Sequence, residues 1–183
     1  LKKLPKYIEC RKVNTRGYCF QQEEKEFVDH CLRELARKDK LTYFYLESVP
    51  EIVFLLYNKR DQKYIGMVGV TRPNIVRKLY VIPSERHKGY GMYLSLIATV
   101  YVLTYLTSVP ISEVFMDNEK MIKFLEKQGM KKVYGYYDSK KKPFECLQVL
   151  RLDDFKKFGS MLKKYNVPST SNEISDLWYC APH

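Results

Sequence analysis

The stretch Leu79-Tyr80-Val81-Ile82-Pro83-Ser84-Glu85-Arg86-His87-Lys88-Gly89-Tyr90-Gly91 decides how the rest of the chain is read. Ile75 to Ile82 reads as a strand that Pro83 ends, and an uncharged run of helical length opens after Gly91. Gly89 and Gly91 let the connecting backbone turn tightly and present its N–H groups to a ligand. Amides at a helix N-terminus favour negative charge, and Arg86, His87 and Lys88 add positive potential, so the segment suits a pyrophosphate. It is not a dinucleotide fingerprint, whose first glycine position holds Arg86 here, nor a P-loop, because no Gly-Lys-Ser/Thr follows. Taken alone, it is also compatible with a glycine-rich turn that binds nothing.

Working outward, Lys6 to Lys12 reads as a first strand and Gln21 to Lys38 as an amphipathic helix with acids near its start. An aromatic connector, Leu41 to Pro50 with Tyr43, Phe44 and Tyr45, precedes a hairpin of Ile52 to Tyr57 and Tyr64 to Val70. After the uncharged helix Met92 to Leu106 come a short strand, Glu113 to Met116, and a helix, Glu119 to Gln128, stopped by Gly129. Lys131 to Tyr137 and Phe144 to Leu152 form a second hairpin across Asp138 to Lys142. Asp153 to Tyr165 reads as a last amphipathic helix, followed by a tail that carries Trp178. The expected class is a mixed α/β (α+β) chain.

Asn118-Glu119-Lys120-Met121-Ile122-Lys123-Phe124-Leu125-Glu126-Lys127-Gln128-Gly129-Met130 supplies a second pattern. With the L-x-V-x-P strand and R-x-x-G-x-G loop at 79–91, it resembles the GCN5-related N-acetyltransferase (GNAT) superfamily, whose corresponding segment reads N-x-x-A-x-x-[FL]-Y-E-K-x-G-[FM]. The resemblance covers residues 6 to 152. It implies a mostly antiparallel mixed sheet with a central V-shaped split, flanked by helices. The expected division is an acyl-CoA-binding acyltransferase domain at 1–152 and a C-terminal helix and tail at 153–183, packing on the same domain.

The resemblance implies binding of acetyl-CoA, or another acyl-CoA, by Val81, Ile82, Arg86, His87, Lys88, Gly89, Tyr90, Gly91, Asn118 and Lys127. It implies direct transfer to a primary amine in a ternary complex, with a backbone N–H near Val81 or Ile82 polarising the thioester carbonyl. Asp117, at a strand end bordering the split, is the first candidate base, with helix capping as its alternative; Glu113 and Glu85 are weaker candidates. The family's tyrosine acid falls where this chain has Leu125, so Tyr134, on the following strand, is the candidate replacement. Its alternative is hairpin packing, as for Tyr136 and Tyr137. The departure at Leu125 also leaves open a catalytically degenerate binding protein.

Lys and Arg number 32 against 21 Asp and Glu, a net charge of +11, which suits an anionic partner. Coenzyme A accounts for one basic groove. A nucleobase or aminoacyl-tRNA acceptor is the second function, since Tyr43 to Tyr45 could stack on bases while lysines hold phosphate. The five cysteines include no C-x-x-C pair, which indicates neither a disulfide framework nor a metal site and reads as a cytoplasmic, intracellular protein. No charge interrupts Gly89 to Ser112, yet its serines and threonines and Pro110 favour a buried helix and strand over a membrane span. Such a helix needs cover on its second face. Phe155, Phe158, Leu162, Leu177 and Trp178 are expected to supply it, with a homodimer partner as the alternative.

Overall fold

A computed structural model describes residues 3–38, 49–136 and 147–169. The elements run β1 (Ile8–Asn14), α1 (Gln22–Lys38), β2 (Ile52–Asn58), β3 (Lys63–Thr71), β4 (Ile75–Val81), α2 (Tyr90–Tyr105), β5 (Ile111–Phe115), α3 (Glu119–Glu126), β6 (Met130–Tyr136), β7 (Leu147–Leu152) and α4 (Phe155–Tyr165). This is the expected order, with shifted ends. β1 starts at Ile8 because the Ile8 N–H closes a turn onto the Pro5 carbonyl at 2.8 Å. α4 starts at Phe155 because the Asp154 side chain caps it, accepting from the Lys157 N–H at 2.9 Å. Most of the aromatic connector, the turn 138–142, Leu177 and Trp178 lie outside the described residues.

The strands form one seven-stranded sheet in the order β1-β2-β3-β4-β5-β7-β6. All neighbours are antiparallel except β4 and β5, which are parallel and in register only at Ile75 and Ile111. Beyond that pair the two strands part, giving the V-shaped split of the expected fold.

Two faces of the sheet are packed differently. Val28, Cys31 and Leu32 of α1 cover Val13, Val53, Leu55, Met67 and Tyr80 on one face. On the other, α2 packs over Phe54, Val68 and Val76, and α3 sets Ile122 and Leu125 against Val114 and Leu150. A buried hydrogen bond from Ser95 Oγ to Gln128 Oε1, 2.8 Å long, ties α2 to the end of α3. Gly129 ends that helix at φ 94°, where an added Cβ would lie 2.4 Å from the Asp154 carbonyl oxygen, too close for any side chain.

α2 is buried almost all round, which explains why it carries no charge. Phe158, Met161, Leu162, Tyr165 and Val167, from α4 and just after it, share its core cluster and supply the second cover. Phe155 does not join them: it is 54% exposed because it starts α4 on the outer side. Among the described residues no helix is long and apolar enough to cross a membrane. Cys10 and Cys31 are free and buried, but Cys19 is disulfide-bonded, although the cysteine spacing indicates no disulfide framework.

Candidate functional site

The site begins with the hydrogen-bonding parity of β4. The Ile82 N–H donates to the Ile65 carbonyl of β3 at 3.0 Å. Antiparallel pairs alternate, so Tyr80 and Ile82 direct their backbone groups to β3 while Leu79 and Val81 direct theirs into the split. The expectation that either Val81 or Ile82 could polarise a carbonyl therefore narrows to Val81. The Ile82 amide is already bonded within the sheet.

A bulge precedes these residues: register shifts opposite Met67 to Gly69, and Lys78 has φ 61°. It adds a residue to β4 and turns the strand away from β5. At the closed end of the split, buried Ser112 donates from Oγ to the Val76 carbonyl at 3.0 Å, replacing a ladder bond that the diverging strands no longer make. Sequence reading missed both features. A lysine or a serine in a strand does not by itself mark a left-handed residue or a hydroxyl that bridges two strands.

Above the split, a short 3-10 turn at Pro83–Glu85 leads into the loop. His87 and Gly89 both have left-handed backbone, φ 63° and 88°. Gly89 is the N-cap of α2, and among the described residues no side chain caps that helix, so its first amides face the loop. Glycine is required at 89 by conformation. At 91 φ is not positive, and an added Cβ would sit 3.8 Å from Val81 Cγ2 and 3.9 Å from Leu79 Cδ2, ordinary contact distances.

The loop's side chains divide by role. Arg86 donates from Nε to the Val81 carbonyl at 2.9 Å, placing its guanidinium on the open edge of β4 and 5.6 Å from the Tyr80 ring centre. Lys88 pairs with Glu85 at 2.9 Å in an exposed contact that adds little stability. His87 is exposed. Tyr90 turns its side chain into the core, where burial and the neighbouring Tyr7 push its hydroxyl up to about 12. Only its backbone remains available to a ligand.

The α3 residues separate as well. Asn118 caps α3 by accepting from the Met121 N–H at 3.2 Å, so the capping role considered for Asp117 belongs to its neighbour. Asp117 is exposed at the end of β5 beside the open mouth of the split. Lys127 is exposed at the far end of α3, about 14 Å away along the axis at the usual helical rise. Tyr134 lies on the edge strand β6, two strands from β5, or about 10 Å at ordinary strand spacing. Leu125 is 4% exposed and belongs to the core under α3. The structure thus brings Val81, Arg86, Lys88, Gly89 and the amides of Tyr90 and Gly91 to one end of the split, with Asp117 and Asn118 across its mouth. It does not bring Lys127 or Tyr134 there.

An acyl-CoA fits this arrangement. The left-handed turn and uncapped helix start offer amides to phosphate, and the unpaired edge of β4 offers alternating donors and acceptors to an amide-bearing chain. Among the described residues no group of His, Cys, Asp or Glu could hold a metal ion.

The solution structure of apo-form YjaB from Escherichia coli is similar to this chain with a TM-score of 0.53 and 21% identity, covering 79% of this chain and 97% of that one. A chimera of the spermidine N-acetyltransferase SpeG from Vibrio cholerae and hSSAT gives a TM-score of 0.59 at 16% identity, covering 84% and 99%. These likenesses establish the fold. No curated protein matches the chain. The family model described as "Acetyltransferase (GNAT) family" matches residues 18–130, a span that includes α1, the whole phosphate loop and α3, and on that match the chain belongs to the GNAT acetyltransferases.

Proposed function

We propose that the protein transfers an acetyl group from acetyl-CoA directly to a primary amine while both are bound in the split. The observation that carries this reading is the edge of β4 from Leu79 to Val81, which has no β5 partner and continues into the uncapped start of α2. Acetyl-CoA, when bound, supplies a thioester whose carbonyl an amine can attack.

The chain's residues then have distinct tasks. Amides of Lys88 to Gly91 bind the phosphates, with Arg86 and Lys88 adding charge. The Val81 N–H faces the split and stabilises negative charge on a carbonyl oxygen, a contribution worth a few kcal/mol in the transition state for a fixed donor. Asp117 accepts the proton of the attacking amine at the mouth of the split. With Leu125 buried and Tyr134 remote, no tyrosine from either position reaches the leaving sulfur. A thiolate is a far better leaving group than an amine, and departs without a proton donor.

Spermidine is the acceptor printed for the SpeG structures, and it is one amine to test here. Calorimetric titration with acetyl-CoA, followed by thiol release in the presence of an amine panel, tests the reading. Saturable binding and amine-dependent release are expected. A chain that binds no acetyl-CoA contradicts it.

A further inference from the structure

The Val81 carbonyl, on the open edge of β4, is already engaged: Arg86 donates to it from Nε at 2.9 Å. The transfer mechanism above gives both groups another task, because Val81 meets the acyl-CoA chain and Arg86 adds charge at the phosphates. A chain that pairs with a strand lies about 4.8 Å from it, with its own N–H about 2.9 Å from a carbonyl oxygen of the strand. The Arg86 Nε stands at that distance, and the rest of the guanidinium takes up the edge beyond it. Because β4 runs toward the phosphate loop, the Val81 carbonyl lies on the loop side of the Val81 N–H. An acyl-CoA chain that enters from the phosphate end therefore meets Arg86 before its thioester reaches the N–H.

The guanidinium is held loosely. Arg86 is exposed, and its charge rests beside the Tyr80 ring, 5.6 Å from the ring centre. Among the described residues no carboxylate forms an ion pair with it, and Glu85, the acid of the loop, is paired with Lys88 at 2.9 Å. A guanidinium bonds a phosphate oxygen, charged on both sides, more strongly than it bonds a neutral carbonyl. Phosphates seated on the amides of Lys88 to Gly91 can thus draw Arg86 off Val81 by a change of side-chain rotamer, with the sheet unmoved.

We propose that Arg86 is a latch on the open edge of β4, closed on the Val81 carbonyl until the diphosphate of an acyl-CoA draws it away. It thereby selects donors that carry the diphosphate over phosphate-free acyl thioesters. The inference rests on the acetyl-transfer reading and adds donor selection to it. A phosphate-free thioester must break the Arg86 bond without giving the guanidinium a new acceptor. Full acyl-CoA exchanges a neutral acceptor for an anionic one, so the side chain that hinders the short donor favours the complete one.

Pantetheine separates a latch from a plain phosphate contact, since it carries the amides and thiol of the cofactor but no phosphate. Its binding to the full chain is followed by NMR titration, beside calorimetry with acetyl-CoA. Arg86→Ala should bind pantetheine about tenfold more tightly than wild type, because removing a closed state raises the fraction of molecules ready to bind. The same variant should bind acetyl-CoA more weakly. Arg86→Met, which keeps most of the aliphatic stem beside Tyr80, should behave alike, with circular dichroism spectra showing that both variants are folded. A variant that loses acetyl-CoA affinity while its pantetheine affinity is unchanged or weaker overturns the proposal, and leaves Arg86 as a phosphate contact only. Pantetheine that binds neither wild type nor variants overturns it too. A wild-type chain that binds no acetyl-CoA contradicts the transfer reading itself, and this inference with it.

Discussion

The two edges of β4 belong to one strand but do opposite work. Toward β3, Tyr80 and Ile82 spend their backbone groups on the sheet, and the Ile82 N–H is fixed to Ile65. Toward β5, pairing stops after Ile75, and among the described residues only the Arg86 side chain bonds the Val81 carbonyl. The difference comes from the bulge at Lys78, which turns β4 away, while the Ser112 bond to the Val76 carbonyl still holds the two strands together at the neck. A sheet that would otherwise close on itself keeps one edge free inside the molecule, where an extended ligand chain can pair with it.

The largest expected effect falls on the open edge's phosphate end. Gly89→Val must place a β-branched residue at φ 88°, costing about 1–2 kcal/mol, and moves the amides that start α2. Calorimetry should show acetyl-CoA affinity lost, while Gly91→Ala, which meets only ordinary contacts, should bind within a few-fold of wild type. Equal losses at the two glycines would break the distinction between a conformational and a spatial role.

Next comes proton handling at the mouth. Asp117→Asn should lower kcat by about a hundredfold, the usual scale for a lost general base, while leaving acetyl-CoA affinity intact. A normal kcat would remove Asp117 from the mechanism. Leu125→Tyr should not raise activity. Because Leu125 is buried against Val114 and Leu150, a tyrosine there overpacks the core and should cost about 1–3 kcal/mol in a denaturant titration. A faster and equally stable variant would show that the core opens to let position 125 reach the split.

The smallest effect lies far from the split, on the closed half of the sheet. Lys12 of β1 is 3% exposed, with its ammonium 5.1 Å from the Tyr101 ring centre, and burial lowers its pKa from 10.5 to about 7. Between those values the unfolded chain holds a proton that the folded one has released. Stability therefore rises with pH from about 7 to about 10.5, and the full penalty applies below 7. Lys12→Met should stabilise by about 1–2 kcal/mol near pH 7, discounted for solvent screening, and the gain should shrink toward pH 10.5. A gain that does not vary with pH would assign the effect to packing alone.

How much of this was legible in the sequence follows from what each part is made of. The phosphate loop is one continuous segment whose glycines and basic residues announce backbone chemistry, so 79–91 could be read directly. α2 was legible as a buried helix because its missing charges needed cover, and α4 supplies it through Phe158 and Leu162. Strand parity was not legible, because it depends on a bulge whose left-handed residue is a lysine; hence Val81 and Ile82 looked alike. Lys127 was read from its motif position and Tyr134 from its place on the following strand, and neither carries information about which end of a helix, or which strand, meets the split.

The most direct test of the central claim is residue-resolved amide hydrogen exchange with and without saturating acetyl-CoA. The account predicts that the Val81 amide and those of Lys88 to Gly91 become protected on binding, while Ile82, already bonded to Ile65, is slow in both states. Protection at Ile82 that depends on ligand, or a Val81 amide that exchanges alike with and without it, would contradict the claim that β4 keeps its outer edge free for the acyl-CoA chain.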